Sequence, residues 1–94
     1  MVFVINNLKY DTDKMELISE RCQYCYKSNI LGTVVAFDAN NVRLWRSRKG
    51  RWLLTYEAGP STYAKAPSEY EAKNILVKYD LEVYEKIFME LEEA

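Results

Sequence analysis

The segment from Val42 to Glu57, VRLWRSRKGRWLLTYE, decides the fold that the sequence predicts. Two apolar runs, Val42 to Ser47 and Arg51 to Glu57, flank Arg48-Lys49-Gly50, and a three-residue loop with glycine in the left-handed region commonly joins two antiparallel strands. This loop keeps the most apolar residues on one face, so we expect it rather than a four-residue loop. The resulting register pairs Val42 with Tyr56, Leu44 with Leu54, Arg46 with Trp52 and Trp45 with Leu53.

We expect helices to cover only one of the two faces of this hairpin. The face with Trp52 should lie beneath the last two helices, with Arg46 over the indole ring as a cation–π contact. The face with Trp45 and Leu53 is one that no predicted helix covers. A four-residue loop would instead pair Trp45 with Trp52 and bury Trp45. The predicted core consists of Val42, Leu44, Trp52, Leu54, Tyr56, Tyr84, Phe88 and Leu91.

Towards the N-terminus the sequence predicts a hairpin, a helix and a buried strand. Val2 to Ile5 and Leu8 to Tyr10 form strands around Asn6-Asn7, because asparagine tolerates positive φ. A helix then begins between Asp11 and Asp13, since Asp13 and Glu16 have the spacing of a capping box. Its apolar stripe contains Met15, Ile18, Cys22 and Cys25, and the β-branched run from Ile30 to Phe37 follows as a buried strand before a turn at Asp38 to Asn41.

Towards the C-terminus the sequence predicts two helices. Ala58 to Pro67 is a surface connection, and Ser68 with Glu71 forms a capping box for a helix that ends near Tyr79. Asp80 caps a last helix whose stripe is Leu81, Tyr84, Phe88 and Leu91. The order of elements predicts a single α+β domain over residues 1–94, in which an N-terminal hairpin plus a three-stranded meander form antiparallel sheet and helices pack on one face.

The composition excludes several classes of function. The chain has 94 residues, no histidine, and 13 basic against 14 acidic side chains, which gives a net charge of -1. A Ser-His-Asp or Cys-His centre and a His-ligated zinc site are therefore excluded within one chain. No glycine-rich phosphate loop or nucleophile elbow is present, so we expect no catalytic residue, no enzyme activity and no cofactor. With no signal peptide or membrane-spanning run, we expect a cytoplasmic protein that makes no membrane contact.

Cys22 and Cys25 have the C-x-x-C spacing. A Cys₄ zinc site would need a second pair from another copy of the chain, and a redox dithiol is favoured at a helix N-terminus rather than at the predicted helix C-terminus. Because both cysteines continue the apolar stripe, we expect ordinary semi-buried thiols without a metal. An intersubunit zinc or disulfide and a redox pair remain open as alternatives.

The hairpin also concentrates positive charge around its two tryptophans. It carries five cations, whereas the other eight bases and the 14 acids of the chain give a net charge of -6. Protein interfaces favour Trp, Tyr and Arg, a β-ribbon can also enter the major groove of nucleic acid, and an edge hairpin can use cations for solubility alone. The candidate partner-binding residues are Arg43, Trp45, Arg46, Arg48, Lys49 and Arg51.

Several stretches resemble a loose group of short proteins from phages, plasmids and other mobile elements. They are the opening hairpin into Lys9-Tyr10-Asp11-Thr12, Leu44 to Leu54, Ser68 to Lys73 and Tyr84 to Phe88, which together cover about half of the chain. The resemblance implies the fold and a mobile-element origin, and it brings no catalytic residue. Small proteins of this kind often bind a host protein, and anti-CRISPR-type inhibitors of host defence are among them.

The sequence therefore predicts a non-enzymatic protein-binding module of mobile-element type, with a host protein such as a defence component as the partner that it inhibits. The alternative is a nucleic-acid-binding protein that uses the basic aromatic hairpin 43–52. A homodimer could form through an open sheet edge or through the side of Trp45 and Leu53.

Overall fold

The computed structural model describes residues 1–93, which form antiparallel sheets and two helices packed on one face of the largest sheet. The α+β class predicted from the sequence is confirmed. The strands are β1 (Val2–Ile5), β2 (Leu8–Asp11), β3 (Glu16–Ser19), β4 (Cys25–Ile30), β5 (Thr33–Asp38), β6 (Asn40–Arg46), β7 (Trp52–Ala58) and β8 (Ser61–Lys65); a 3₁₀ turn covers Thr12–Lys14, and the helices are α1 (Glu69–Tyr79) and α2 (Leu81–Ile87).

Three antiparallel sheets are present within residues 1–93. They are the hairpin β1–β2, the hairpin β4–β5 and a four-stranded sheet with the order β3-β6-β7-β8. The predicted Asn6-Asn7 turn of the first hairpin is confirmed, with φ of 51° and 63°. The hairpin β4–β5, which we call the arm, pairs with no other strand of the described residues. The radius of gyration of 14.6 Å exceeds the roughly 12 Å of a compact domain of this length, which fits a projecting arm.

The hairpin β6–β7 has the predicted three-residue loop. Gly50 has a φ of 81°, and the Ser47 N–H donates to the Arg51 carbonyl at 2.8 Å. The predicted pairs Leu44 with Leu54, Arg46 with Trp52 and Trp45 with Leu53 are confirmed. The pairing of Val42 with Tyr56 is modified by a register shift between Asn40 and Arg43, where Asn41 has a φ of 48° and forms a bulge with Val42.

The core lies between one face of β6–β7 and the two helices. The capping box of α1 is confirmed: the Glu71 N–H donates to Ser68 Oγ and the Ser68 N–H donates to Glu71 Oε1, both at 3.1 Å. These bonds from Ser68 hold the pKa of the Glu71 carboxyl below its ordinary value. Leu91 lies outside the core, because α2 ends at Ile87 and leaves Leu91 exposed. Val42, Leu44, Trp52 and Leu54 are buried with Cys22, Ala72 and Leu76, and Tyr56, Tyr84 and Phe88 pack against them half-buried.

The predicted helix with the stripe Met15, Ile18, Cys22 and Cys25 is wrong. Asp13 does not cap a helix; instead Asp11 Oδ1 accepts the Asp13 N–H at 3.1 Å and a single 3₁₀ turn follows. The chain then forms β3, whose Leu17 pairs with Trp45 at the edge of β6. An apolar pattern that fits a helix also fits short strands joined by an irregular connection, such as β3 and β4, and sheet pairing outweighs helix propensity here.

The predicted buried strand from Ile30 to Phe37 is also wrong, because Leu31 and Gly32 form a turn inside it with φ of 51° and 82°. The expected turn from Asp38 to Asn41 is reduced to Ala39, the one residue between β5 and β6. Ala58–Pro67, expected as a surface connection, contains β8. The third strand of the meander is therefore β8 rather than the run Ile30–Phe37.

Candidate functional site

Arg43 and Arg46 on strand β6 form ion pairs within the protein. Arg43 Nε lies 3.1 Å from Glu20 Oε1 and donates to it. Arg46 Nη2 lies 3.9 Å from Glu16 Oε2, and its guanidinium lies 5.4 Å from the centre of the Trp52 ring, as expected. Because alternate residues of a strand point to opposite faces, Arg43 and Arg46 lie on opposite faces of the sheet. Both side chains are thus engaged by acids of the same chain, although Arg46 also lines a pocket that includes Lys14 and Arg48.

Both tryptophan side chains make contacts with other residues of the chain. Trp52 is 2% exposed and its ring centre lies 6.1 Å from that of Phe88. Trp45 is half-buried, and its Nε1 donates to Thr55 Oγ1 at 2.9 Å. The expectation that Trp45 and Leu53 lie on an uncovered face is wrong, since Leu53 is 0% exposed. The buried Trp52 ring offers no free face for stacking on a base, and the side of Trp45 keeps a limited apolar surface, because its cross-strand partner Leu17 is 41% exposed.

The remaining candidates, Arg48, Lys49 and Arg51, are all exposed and lie in and beside the hairpin loop. This loop lies next to β2 and the 3₁₀ turn, and a groove of about 420 Å³ separates them. Two further exposed lysines, Lys9 and Lys14, line the same groove from its other side. We call these five residues the basic groove cluster.

The groove combines positive charge with an apolar lining. None of the five cations of the basic groove cluster forms an ion pair with an acid of residues 1–93. Leu8, Tyr10 and Met15 supply apolar surface, and Asp11 is the one acid that lines the groove among the described residues. Because Asp11 Oδ1 accepts the Asp13 N–H, the negative charge of the Asp11 carboxylate is partly compensated within the 3₁₀ turn. The groove therefore suits an anionic ligand that also carries an apolar group.

Sequence reasoning missed Lys9 and Lys14. Both were available as exposed cations, but the helix predicted from Asp11 onward placed Lys14 on an element that does not exist. The 3₁₀ turn instead brings Lys14 beside Ser47 and Arg48. The hairpin before Asp11 is visible in the sequence, but no local pattern indicates that it packs beside the loop of β6–β7.

Cys22 and Cys25 differ in their surroundings, and both are free thiols in the described part of the chain. Cys25 is exposed on β4, whereas Cys22 is buried beside a polar contact in which Ser19 Oγ donates to Asp80 Oδ2 at 2.6 Å. Burial raises the pKa of the Cys22 thiol; the bond with Ser19 lowers it and the Asp80 charge raises it. Residues 1–93 contain no group of three Cys, Asp or Glu side chains that could hold a metal ion.

Asp80 precedes α2 at the predicted cap position, but its side chain does not cap the helix. The carboxylate is buried and accepts from Ser19, while Arg21 Nη1 lies 3.8 Å from Oδ1. The hydrogen bond from Ser19 to Asp80, beside the buried Cys22, thus links β3 to the junction between α1 and α2.

A scan against protein-family models and searches of curated proteins and of solved structures found no match. Neither helix within residues 1–93 has the length and apolarity needed to cross a lipid bilayer.

Proposed function

We propose that the protein is a non-enzymatic protein-binding module and that its basic groove cluster holds an acidic segment of the partner protein. The observation that carries this proposal is the convergence of five exposed cations, none paired within residues 1–93, around one groove of about 420 Å³. Like charges gathered without counter-charges repel one another, and a carboxylate-rich segment relieves that repulsion.

The apolar lining favours a peptide over a bare polyanion. Leu8, which is 38% exposed, and Met15 give an aliphatic or aromatic side chain of the partner a surface to pack on, while carboxylates on either side contact the cations. Arg48 and Arg51 can each hold a carboxylate through two parallel hydrogen bonds. The expected partner segment therefore alternates acidic and apolar residues.

The packing of the tryptophans supports a protein rather than a single-stranded nucleic acid as the partner. Sequence-tolerant binding of single strands depends on aromatic rings that stack on bases, and Trp52 is buried while Trp45 is held by Thr55. Phosphate contacts by the five cations would remain, and their binding would depend steeply on salt. Nucleic acid is therefore the competing outcome in the experiment below.

The resemblance to proteins of mobile elements makes a host protein, such as a defence component that the module inhibits, the partner class to test first. The experiment is affinity capture from a nuclease-treated host lysate with three forms of the chain. They are the wild type, the variant Arg48→Glu/Lys49→Glu/Arg51→Glu and the control Lys27→Glu/Lys78→Glu/Lys86→Glu. The control reverses three other exposed lysines and so changes the net charge equally.

We expect a protein partner on the wild type and on the control, and its loss on the groove variant by more than about tenfold, since each lost charge contact costs about 1 kcal/mol or more. A labelled DNA duplex at about 50 mM salt tests the competing reading, because the electrostatic contribution is strongest at low salt. Binding of the labelled duplex without capture of any protein from the lysate, or equal loss of the partner from both triple variants, would contradict the proposal.

A further inference from the structure

The arm exposes apolar residues that no other part of residues 1–93 covers. Leu31 at its tip is 100% exposed, and Val34 on β5 is 65% exposed. At its base the arm is attached to β7 by the Tyr26 ring, which lies 6.3 Å from that of Tyr56; within the arm the same ring lies 5.7 Å from Phe37. The arm is thus fixed at one end and open to a partner along its length.

The backbone of β5 has an open edge, and the register shows which groups point to it. The Ala39 N–H donates to the Tyr24 carbonyl at 2.8 Å, which makes these two residues a hydrogen-bonded pair. Bonded and non-bonded pairs alternate along an antiparallel hairpin, so Lys27 and Ala36 form a non-bonded pair. The N–H and C=O groups of Val34, Ala36 and Asp38 consequently point away from β4, towards the open edge.

The two edges of the arm differ in how well they are protected against pairing. The edge of β4 carries Lys27, and a charged side chain is one of the common devices that block pairing at a sheet edge. From Thr33 to Phe37, β5 contains no charge, no proline and no bulge. It is a six-residue strand rich in β-branched residues, which is the kind of edge that pairs readily with another strand.

We propose that two copies of the chain pair through their β5 edges, antiparallel and centred on Ala36. In this register Ala36 lies opposite Ala36 of the second copy, and Val34 lies opposite Asp38, so about six backbone hydrogen bonds form across the two-fold axis. Val35 lies opposite Phe37 in a non-bonded pair, where side chains approach closely. No like charges face each other across the new pair.

The same arrangement favours a dimer over continued strand pairing into a fibre. Pairing of β5 with β5 yields a four-stranded sheet whose outer edges are both β4. A further pairing centred on Lys27 would place two lysines directly opposite each other, which is destabilising. The assembly therefore closes as a dimer. This surface is separate from the basic groove cluster.

The experiment is multi-angle light scattering of the purified chain over a micromolar to millimolar range, with proline placed at either edge of the arm. Ala36→Pro removes a backbone N–H that donates to no residue of the arm. Lys27→Pro makes the same change at the other edge, because Lys27 is the direct cross-strand partner of Ala36. Ala36→Pro removes two intersubunit hydrogen bonds by symmetry, so we expect the dimer dissociation constant to rise by roughly 30-fold. Lys27→Pro and the groove variant should remain dimeric, which separates this proposal from the proposed function.

Charge variants at the two-fold axis test the register without relying on proline. Ala36→Glu and Ala36→Lys should each be monomeric, because like charges would meet at the centre, and an equimolar mixture should regain the dimer mass. A wild-type chain that stays monomeric throughout the range would overturn the proposal. A dimer that survives Ala36→Pro, equal disruption by Lys27→Pro, or a mixture that stays monomeric would overturn it as well.

Discussion

Two hairpins of nearly equal length occupy very different positions in this molecule. The strands of β6–β7 have seven residues each, and four consecutive residues of β7, from Trp52 to Thr55, are buried. The strands of the arm have six residues each, and none of them is buried. Apolar residues make up eight of the 14 strand residues of β6–β7 and seven of the 12 strand residues of the arm, so apolar content does not separate them. The difference is that α1 and α2 cover one face of β6–β7, whereas within residues 1–93 a helix approaches the arm only at its base, where Asn74 and Ile75 line a pocket with Cys25.

This difference separates stability from binding. Apolar area that is already buried stabilises the fold, while apolar area left in water is available to a partner. The helix-covered part of the chain should therefore determine the free energy of unfolding, and the arm should respond mainly to self-association.

The largest expected effect is the loss of the buried indole. Trp52→Ala should lower the free energy of unfolding by about 3–5 kcal/mol, because it removes the contacts with Phe88 and Arg46 and leaves a cavity. Phe37→Ala in the arm should lower it by less than about 1 kcal/mol, since Phe37 is 36% exposed. Urea denaturation followed by circular dichroism measures both.

The Phe37 comparison is best made in the Ala36→Pro background, where the proposed dimer does not contribute to stability. Equal losses at Trp52 and Phe37 would show that the arm belongs to the same cooperative core as β6–β7. A loss below about 1 kcal/mol at Trp52 would contradict its role in the core.

A smaller effect is expected at the polar contact between β3 and the helices. Ser19→Ala removes the donor to Asp80 Oδ2, and Asp80 Oδ1 already has no hydrogen-bond partner within residues 1–93. A buried carboxylate that loses its donor costs about 1–3 kcal/mol. Ser28→Ala, the matched change in the arm, should alter the free energy of unfolding by less than about 0.5 kcal/mol. Equal effects in the same urea titration would contradict the anchoring role of Ser19.

The success of sequence reasoning follows the same division of the molecule. The loop with Gly50, the pairing of Leu44 with Leu54 and the Ser68–Glu71 cap are all predicted correctly, because each depends on a few adjacent residues with strong conformational preferences. Such local rules hold where the packing of the core agrees with them.

The segment from Met15 to Asp38 fails because its local pattern is ambiguous. A stripe such as Met15, Ile18, Cys22 fits a helix, yet the residues are used by β3 and an irregular connection. The turn at Leu31-Gly32 requires positive φ at a leucine, which is uncommon outside glycine and asparagine, so Gly32 is the one turn signal within the run Ile30–Phe37. Of the basic groove cluster, the sequence proposes Arg48, Lys49 and Arg51 as candidates, while Lys9 and Lys14 join the groove only through tertiary packing.

The smallest expected effect is a pH dependence at Cys22, the thiol buried in the helix-covered region. Burial raises its pKa above the ordinary value of 9.0, so the folded chain keeps the proton to higher pH than the unfolded chain does. The contribution of this thiol to the free energy of unfolding is fully present below pH 9. It is lost as the pH rises through the pKa of the folded state, because unfolding then releases a proton. The free energy of unfolding of the wild type should therefore fall more steeply from pH 8 to pH 10 than that of Cys22→Ala, by less than about 1 kcal/mol in total. Urea titrations at each pH measure the two slopes, and parallel slopes would show that the thiol gains no protection from the packing between β3 and the helices.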